Sequence, residues 1–132
     1  MPFTDRSVII TGAGKGIGRA TAILLAERGA RVTAISRTQS DLDSLDARAI
    51  VADLSDPAAA RDAMAQAGTC DFLVNCAGTN VLEGLLDLTD AGYDTVMDIN
   101  LRSALICAQE FARARIAAGG GGAIVNVTSI AG

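Results

Sequence analysis

The segment that most restricts how this chain can fold is a cluster of glycines at residues 12–18. The apolar run Val8 to Ile10 precedes it, and residues 19–28 follow with the spacing of an amphipathic helix. A strand, a glycine turn and a helix in this order suit a phosphate site. Glycines let the backbone turn sharply and let a pyrophosphate approach, and the unpaired N–H groups of the helix start attract the anion. An ordinary glycine-rich turn is the alternative.

The turn has the form Gly-x-x-x-Gly-x-Gly between residues 12 and 18. It differs from G-x-G-x-x-G because Ile17 occupies the place of the third glycine. It differs from a triphosphate-binding loop because Gly16 follows Lys15 where a hydroxyl residue is required. Lys15 is the single lysine of the sequence. This indicates a role in the turn, although the lysine-poor usage of a GC-rich genome explains it equally well.

Composition excludes several functional classes. Half of the 132 residues are apolar, but no run approaches the ~18 apolar residues of a membrane span. A net charge of -4 and 3% aromatic residues argue against a nucleic-acid surface. No signal peptide is visible, so we predict a cytoplasmic location. The three cysteines Cys70, Cys76 and Cys107 have no C-x-x-C spacing and the chain has no histidine, which predicts buried thiols and no metal site.

Strand-like and helix-like segments alternate along the chain. We predict strands at 7–11, 31–36, 49–52, 72–75 and 123–127, and helices at 16–28, 38–45, 57–67 and 90–118. The alternation predicts one α/β domain over residues 1–132, a doubly wound parallel sheet of the Rossmann type with strand order 3-2-1-4-5. Ligands of such sheets bind in the crevice between strands 1 and 4. The glycine quartet at 119–122 predicts a loose surface turn, with a domain linker as the alternative.

The end of the second predicted strand indicates which dinucleotide binds. An NAD-binding domain carries an acid there, whereas this strand ends in a serine followed by Arg37 and Thr38. A guanidinium can bind a 2′-phosphate through two hydrogen bonds, and Lys15 adds a second positive charge. These residues favour NADP(H), with a solvated surface role for Arg37 as the alternative. Asp41 and Asp43 lie too far along the chain to replace the acid unless a loop folds one of them back.

Several motifs in the same order resemble the short-chain dehydrogenase/reductase family of the classical type. T-G-x-x-x-G-I-G starts at Thr11, residues 75–78 are similar to the family's N-N-A-G turn, and residues 126–129 match the end of its fifth strand. Cys76 departs from the second asparagine of that turn. The resemblance implies a set of cofactor-binding residues, namely Gly12, Gly14, Lys15, Gly16, Ile17, Gly18, Arg37, Thr38, Asp53, Leu54, Asn75, Ala77 and Gly78. For Asp53, which is implied to contact the adenine edge, a turn or helix cap is the alternative.

The resemblance also implies two catalytic residues. Asn100 would hold a water of a proton relay, although asparagine inside a helix is mildly unfavourable. Ser129 would bind the substrate carbonyl, with a polar strand end as the alternative. The family's general acid is a tyrosine four residues before a lysine. Here the single tyrosine, Tyr93, has Met97 four residues later, so the pair is absent. The chain therefore resembles the first part of a family member, truncated before strands 6 and 7, and we expect it to be inactive alone.

These inferences predict an NADP(H)-dependent oxidoreductase that interconverts a carbonyl and an alcohol on a small ketone, sugar or polyol. Residues 11–19 and 36–45 are similar to the loops of carbonyl and L-xylulose (diacetyl) reductases, and such loops recur in 3-oxoacyl-carrier-protein reductases. A non-catalytic dinucleotide-binding module or an inactive fragment is the alternative from another class. The resemblance further implies a homo-oligomer, a dimer or tetramer, that associates through the helix at 90–118.

Overall fold

The computed structural model describes residues 1–129 as alternating strands and helices. The strands are β1 (Ser7–Thr11), β2 (Arg31–Ser36), β3 (Arg48–Val51), β4 (Phe72–Asn75) and β5 (Ala123–Asn126). The helices are α1 (Gly16–Glu27), α2 (Gln39–Leu42), α3 (Pro57–Ala67), α4 (Asp90–Met97) and α5 (Ser103–Ala117), with one π-helical turn at Asp98–Arg102 between the last two. None of the helices in this part of the chain has the length and apolar character that crossing a bilayer requires.

The strands form one parallel sheet in the order β3-β2-β1-β4-β5, which confirms the predicted topology. Val8 of β1 lies between Val32 of β2 and Phe72 of β4. The chain therefore leaves β1 toward one side of the sheet and later returns to pair on its other side. This reversal opens a crevice at the carboxyl ends of β1 and β4, where open α/β sheets bind ligands.

Apolar side chains alternate between the two faces of the sheet. Ile9 of β1 packs in a core with α3 and α5, whereas its neighbours Val8 and Ile10 pack in a second core with α1 and α2. These three side chains are at most 1% exposed. A strand covered on both faces must be apolar at successive positions, which explains the uninterrupted Val8-Ile9-Ile10 run. The two cores fix β1, and therefore the glycine turn that follows it.

The helix predicted as continuous over 90–118 is interrupted. Thr89 caps α4, because its hydroxyl accepts the Gly92 N–H at 3.0 Å. The α-helical pattern stops at Met97, and residues 98–102 adopt the wider π register before α5 begins. A π turn inserts an extra residue into a helix and is frequent at functional sites. The prediction of a single regular helix was wrong at this point.

Other predicted boundaries differ from the structure by one to a few residues. β3 spans 48–51 and not 49–52, and β5 ends at Asn126, although the Val127 N–H still donates to the Asn75 carbonyl at 2.9 Å. α2 covers only 39–42. The glycine quartet at 119–122 is a surface turn, but it is tethered. The Arg115 Nε donates to the Gly121 carbonyl at 2.8 Å, which fixes the approach to β5.

Asp71 precedes β4 and joins the beginning of β1 to the end of α5, at the amino ends of the strands and opposite the crevice. The backbone N–H and the hydroxyl of Ser7 donate to its Oδ2 at 2.9 and 3.1 Å. Guanidinium nitrogens of Arg6 and Arg115 lie 3.8 Å from its Oδ1. These groups, the Ser7 N–H foremost, hold the pKa of Asp71 below its usual value against an opposing effect of partial burial. The carboxylate therefore stabilises the fold in its charged form.

We expect Asp71→Asn to lower the free energy of unfolding of the complete protein by about 1 kcal/mol at neutral pH. Because the folded pKa lies below the unfolded value of about 3.9, the stabilisation is present above that value and is lost as the pH falls through the folded pKa. Urea titrations at neutral and acidic pH measure both effects. Asp46→Asn, which changes an exposed acid, is the control. Equal stability of the two variants at neutral pH would contradict the assignment.

Candidate cofactor site

The glycine turn closes against the turn after β4. Gly12 has a φ of +61°, and a Cβ there would lie 2.8 Å from backbone atoms of Cys76 and Ala77. Thr11 joins the same two turns, because its Oγ1 accepts the N–H groups of Cys76 and Ala77 at 3.0 and 3.1 Å. These contacts use only the backbone of residue 76. A cysteine therefore preserves the turn in which the resembled family has asparagine.

The N-terminus of α1 opens into the crevice. Lys15 is its N-cap residue, and in the described structure its side chain makes no capping hydrogen bond. The first turn of α1 carries no acidic residue. The N–H groups and the positive end of the helix dipole are thus left for an anion. This arrangement fits the pyrophosphate of a dinucleotide.

The crevice is a cleft of about 990 Å³, at the upper end of the range for ligand pockets. The predicted site residues that line it are Gly12, Gly14, Lys15, Gly16, Ile17, Gly18, Arg37, Thr38, Leu54, Ala77, Gly78, Asn100 and Ser129. Asp53 and Asn75 were also predicted, but they are not among its lining residues. The structure therefore brings together residues from the ends of β1, β2, β3, β4 and β5 in one elongated site.

Asp53 belongs to a tight turn before α3. Its Oδ1 accepts from the backbone N–H and the hydroxyl of Ser55 at 3.0 and 2.7 Å. The Ser55 hydroxyl is the main cause that lowers the pKa of Asp53, and Arg37 contributes a smaller attraction. Its neighbours Leu54 and Ser55 line the cleft. The contact of Asp53 with an adenine remains a prediction.

Asn75 lies beneath the cleft as a structural bridge. Its side chain is buried, and Nδ2 donates to the Ala104 carbonyl of α5 at 3.3 Å and to Asn126 Oδ1 of β5 at 3.0 Å. Within residues 1–129, its Oδ1 has no hydrogen-bond partner. Asn75 thus ties together β4, β5 and α5, the elements that position the far end of the cleft.

The π turn presents Asn100 to the loop that follows β4. Asn100 Oδ1 accepts the Thr79 N–H at 2.8 Å, and Asn100 Nδ2 donates to the Thr79 carbonyl at 2.9 Å. Ser103 supports the turn, because its hydroxyl donates to the Ile99 carbonyl at 2.5 Å. The amide is therefore satisfied by a distant loop and not by its own helix. This explains why an asparagine is tolerated inside a helical segment.

Ser129 follows β5 and lines the end of the cleft where Asn100 also lies. Residues of α4 and the π turn complete this wall, and the sequence analysis missed them: Asp94, Thr95, Asp98 and Ile99. Asp94 and Asp98 are four residues apart, as are Thr95 and Ile99, and this spacing indicates one face of a helix. Which face turns toward the cleft depends on how the helix packs, and the sequence does not show it.

Cys76 is half-buried at the cleft and the other two cysteines lie in the core. Burial raises the pKa of the Cys76 and Cys70 thiols and raises that of Cys107 to about 11. All three thiols are therefore protonated at neutral pH and are poor nucleophiles. In residues 1–129, no group of three or more His, Cys, Asp or Glu side chains is arranged to hold a metal ion.

A parallel sheet with a glycine turn at its switch point is typical of nucleotide-binding α/β domains, and comparison with known proteins specifies the family. The sequence profile of the short chain dehydrogenase family matches residues 6–132. L-xylulose reductase of Homo sapiens is 45% identical in an alignment of 132 positions, gaps included, that covers 96% of this chain and 54% of that protein. Carbonyl reductase (NADPH) 2 of Sus scrofa is 40% identical in an alignment of 135 positions that covers 98% of this chain and 55% of that protein.

A solved structure gives the same result. A metagenomic short-chain oxidoreductase in complex with NADP superimposes with a TM-score of 0.88 at 31% identity, over 99% of this chain and 65% of that one. The chain belongs to the short-chain dehydrogenase/reductase family, whose members are oxidoreductases that bind a nicotinamide dinucleotide. It spans about half the length of the curated relatives it matches.

Proposed function

We propose that the complete protein is an NADP(H)-dependent reductase that interconverts a carbonyl and an alcohol on a small ketone, sugar or polyol. The proposal rests on the residues at the end of the cleft where the adenosine of the cofactor would bind, which we call the adenosine end. β2 ends in Ser36, and Arg37, Thr38 and Lys15 line the cleft beside it. A relative named for L-xylulose and another named for NADPH support the same substrate class and cofactor.

In this proposal, different residues along the cleft bind different parts of the cofactor and the substrate. The α1 N-terminus and the glycine turn hold the pyrophosphate, and Lys15 and Arg37 bind the 2′-phosphate. The nicotinamide supplies the hydride when the cofactor is bound. Ser129 donates a hydrogen bond to the substrate carbonyl oxygen, and Asn100 positions a water for proton delivery. A general acid must protonate the oxygen, and the 132 residues contain no Tyr-x-x-x-Lys pair that would supply it.

We therefore expect no turnover from the 132-residue chain by itself. We also propose that the protein acts in the cytoplasm as a homo-oligomer that associates through α4 and α5. Leu101 of the intervening π turn and Leu105 and Ile116 of α5 support the oligomer, since each is more than half exposed. Sedimentation of the complete protein as a monomer at micromolar concentration would contradict the association.

Arg37→Met tests the assignment of the cofactor. Losing a charge-assisted contact to phosphate removes about 1.5 to 3 kcal/mol, so we expect the Kd of the complete protein for NADPH to rise by about tenfold or more. The Kd for NADH, which has no 2′-phosphate, is expected to change by less than about twofold. Titration calorimetry measures both constants.

Arg61→Met is the matched control for that experiment, because Arg61 is an exposed arginine of α3 and is not among the residues lining the cleft. It should leave both dissociation constants unchanged. A wild-type protein that binds NADH as tightly as NADPH, or an Arg37→Met variant that loses affinity for both equally, would refute the proposed cofactor.

A further inference from the structure

Asp41 brings a carboxylate to the adenosine end of the cleft. It belongs to α2, and its side chain is 26% exposed. Asp41 lines the cleft together with Lys15, Arg37 and Thr38. Its Oδ2 lies 3.9 Å from the Lys15 Nζ, whose own side chain is 82% exposed. An acid beside the lysine of a candidate phosphate subsite requires an explanation, because it opposes the charge that the subsite would bind.

The position of Asp41 is fixed by its neighbours. Leu42, the next residue, is buried to 2% exposure and anchors α2 in the core. Arg19 of α1 holds the same segment, because its Nη1 donates to the Asp41 carbonyl at 2.7 Å and its Nη2 donates to Ser44 Oγ at 2.5 Å. The Asp41 N–H in turn donates to the Thr38 carbonyl at 3.2 Å. The backbone of residue 41 is thus held on both sides.

The side chain of Asp41 rests directly on the glycine turn. A Cβ added at Gly14 would lie 2.6 Å from Ser36 Oγ and 2.9 Å from Asp41 Cβ. Gly14 is therefore required because β2 and α2 both approach the turn closely. The carboxylate lies where the turn meets the end of β2, which is the place where a 2′-phosphate would meet Lys15.

We propose that Asp41 sets the cofactor selectivity of the protein by opposing a 2′-phosphate. This inference rests on the proposed function. The carboxylate holds Lys15 in the absence of the phosphate and repels the phosphate when it approaches. Phosphate binding therefore has to overcome both effects. NADH carries a hydroxyl in place of the 2′-phosphate, so its binding neither competes with the Asp41–Lys15 pair nor encounters the repulsion. Asp41 is a specificity-determining residue that restrains the preference for NADP(H) which Lys15 and Arg37 create.

The test compares Asp41→Asn with wild type in the complete protein. Two charges several ångströms apart in a partly solvated site interact by about 1 kcal/mol, so the Kd for NADPH should fall about fivefold. The Kd for NADH should change by less than about twofold, and the gain for NADPH should shrink as salt screens the charges. Asp43→Asn is the matched control, because it removes the same charge from an exposed position two residues later. It should leave both constants unchanged.

Asp41→Ala provides a second variant and is expected to give the same selective gain. A purely structural role for Asp41 would weaken NADPH and NADH equally, and that result would overturn the inference. Unchanged or weaker binding of NADPH by both variants would overturn it as well. If wild type shows no preference for NADPH over NADH, the proposed function itself fails. If wild type shows the preference and the variants do not increase it, only the inference about Asp41 fails.

Discussion

Gly18→Ala is expected to destabilise the complete protein by about 2 to 3 kcal/mol and to abolish tight binding of the dinucleotide. Gly18 lies in the first turn of α1, where alanine is intrinsically better than glycine by about 1 kcal/mol. Steric contact outweighs this gain. A Cβ at Gly18 would clash with the Gly12 carbonyl oxygen. It would also lie 2.8 Å from the Gly12 carbonyl carbon and 3.2 Å from Ala13 Cα. These atoms are backbone, so only a shift of the helix or the turn relieves the clash.

The shift would also weaken binding of the dinucleotide, because the same turn faces the cleft. Chemical denaturation measures the stability, and calorimetric titration with NADPH measures the binding. Gly121→Ala is the matched control, since a Cβ at Gly121 has no atom of the described residues within 4 Å. It should change the stability by less than about 0.5 kcal/mol. A Gly18→Ala variant as stable as wild type would show that α1 does not pack on the turn as closely as described.

Ser129→Ala is expected to lower kcat/KM for carbonyl reduction by about 100-fold and to leave the Kd for NADPH unchanged. Ser129 and Asn100 both line the cleft, and Ser129 follows β5, which lies on the other side of β1 from β2 and Arg37. A hydrogen bond to the substrate oxygen strengthens as negative charge develops on that oxygen, so its loss affects the transition state more than the cofactor complex.

Steady-state kinetics of the complete protein, together with NADPH titration, separate the two effects. Ser129→Thr retains a hydroxyl and should recover part of the lost kcat/KM. A loss of NADPH affinity without a loss in kcat would place Ser129 in cofactor binding and contradict its proposed role. If the alanine variant is as active as wild type, Ser129 is not a catalytic residue.

The strand order followed from the alternation of strands and helices, which favours a parallel sheet with right-handed crossovers. Successive apolar residues such as Val8 to Ile10 mark strands covered on both faces, and the glycines at 12–18 mark the turn at the switch point. Six residues of the glycine cluster also line the cleft, namely Gly12, Gly14, Lys15, Gly16, Ile17 and Gly18. These features depend on residues close together in the chain, where sequence patterns are informative.

The features that the sequence did not reveal depend on distant contacts. The π turn occurs where Asn100 forms hydrogen bonds with Thr79, 21 residues away, and no local sequence pattern predicts it. Asp41 was expected to lie too far along the chain to replace the missing acid unless a loop folds it back, yet Arg19 helps hold α2 against the glycine turn across 22 residues. Such contacts arise from the packing of whole elements. The errors in the sheet are therefore limited to the bounds of strands, whereas the missed contacts lie at the site.

Reduction of a small ketose by the purified complete protein, with NADPH and with NADH, decides whether the protein is a reductase. Our account predicts oxidation of NADPH with formation of one alcohol per cofactor consumed, at a kcat/KM at least about tenfold higher than with NADH, as the loss of a phosphate contact implies. Tight binding of NADPH without any turnover on ketones, sugars or polyols would instead identify a dinucleotide-binding module, and would contradict the proposed reductase.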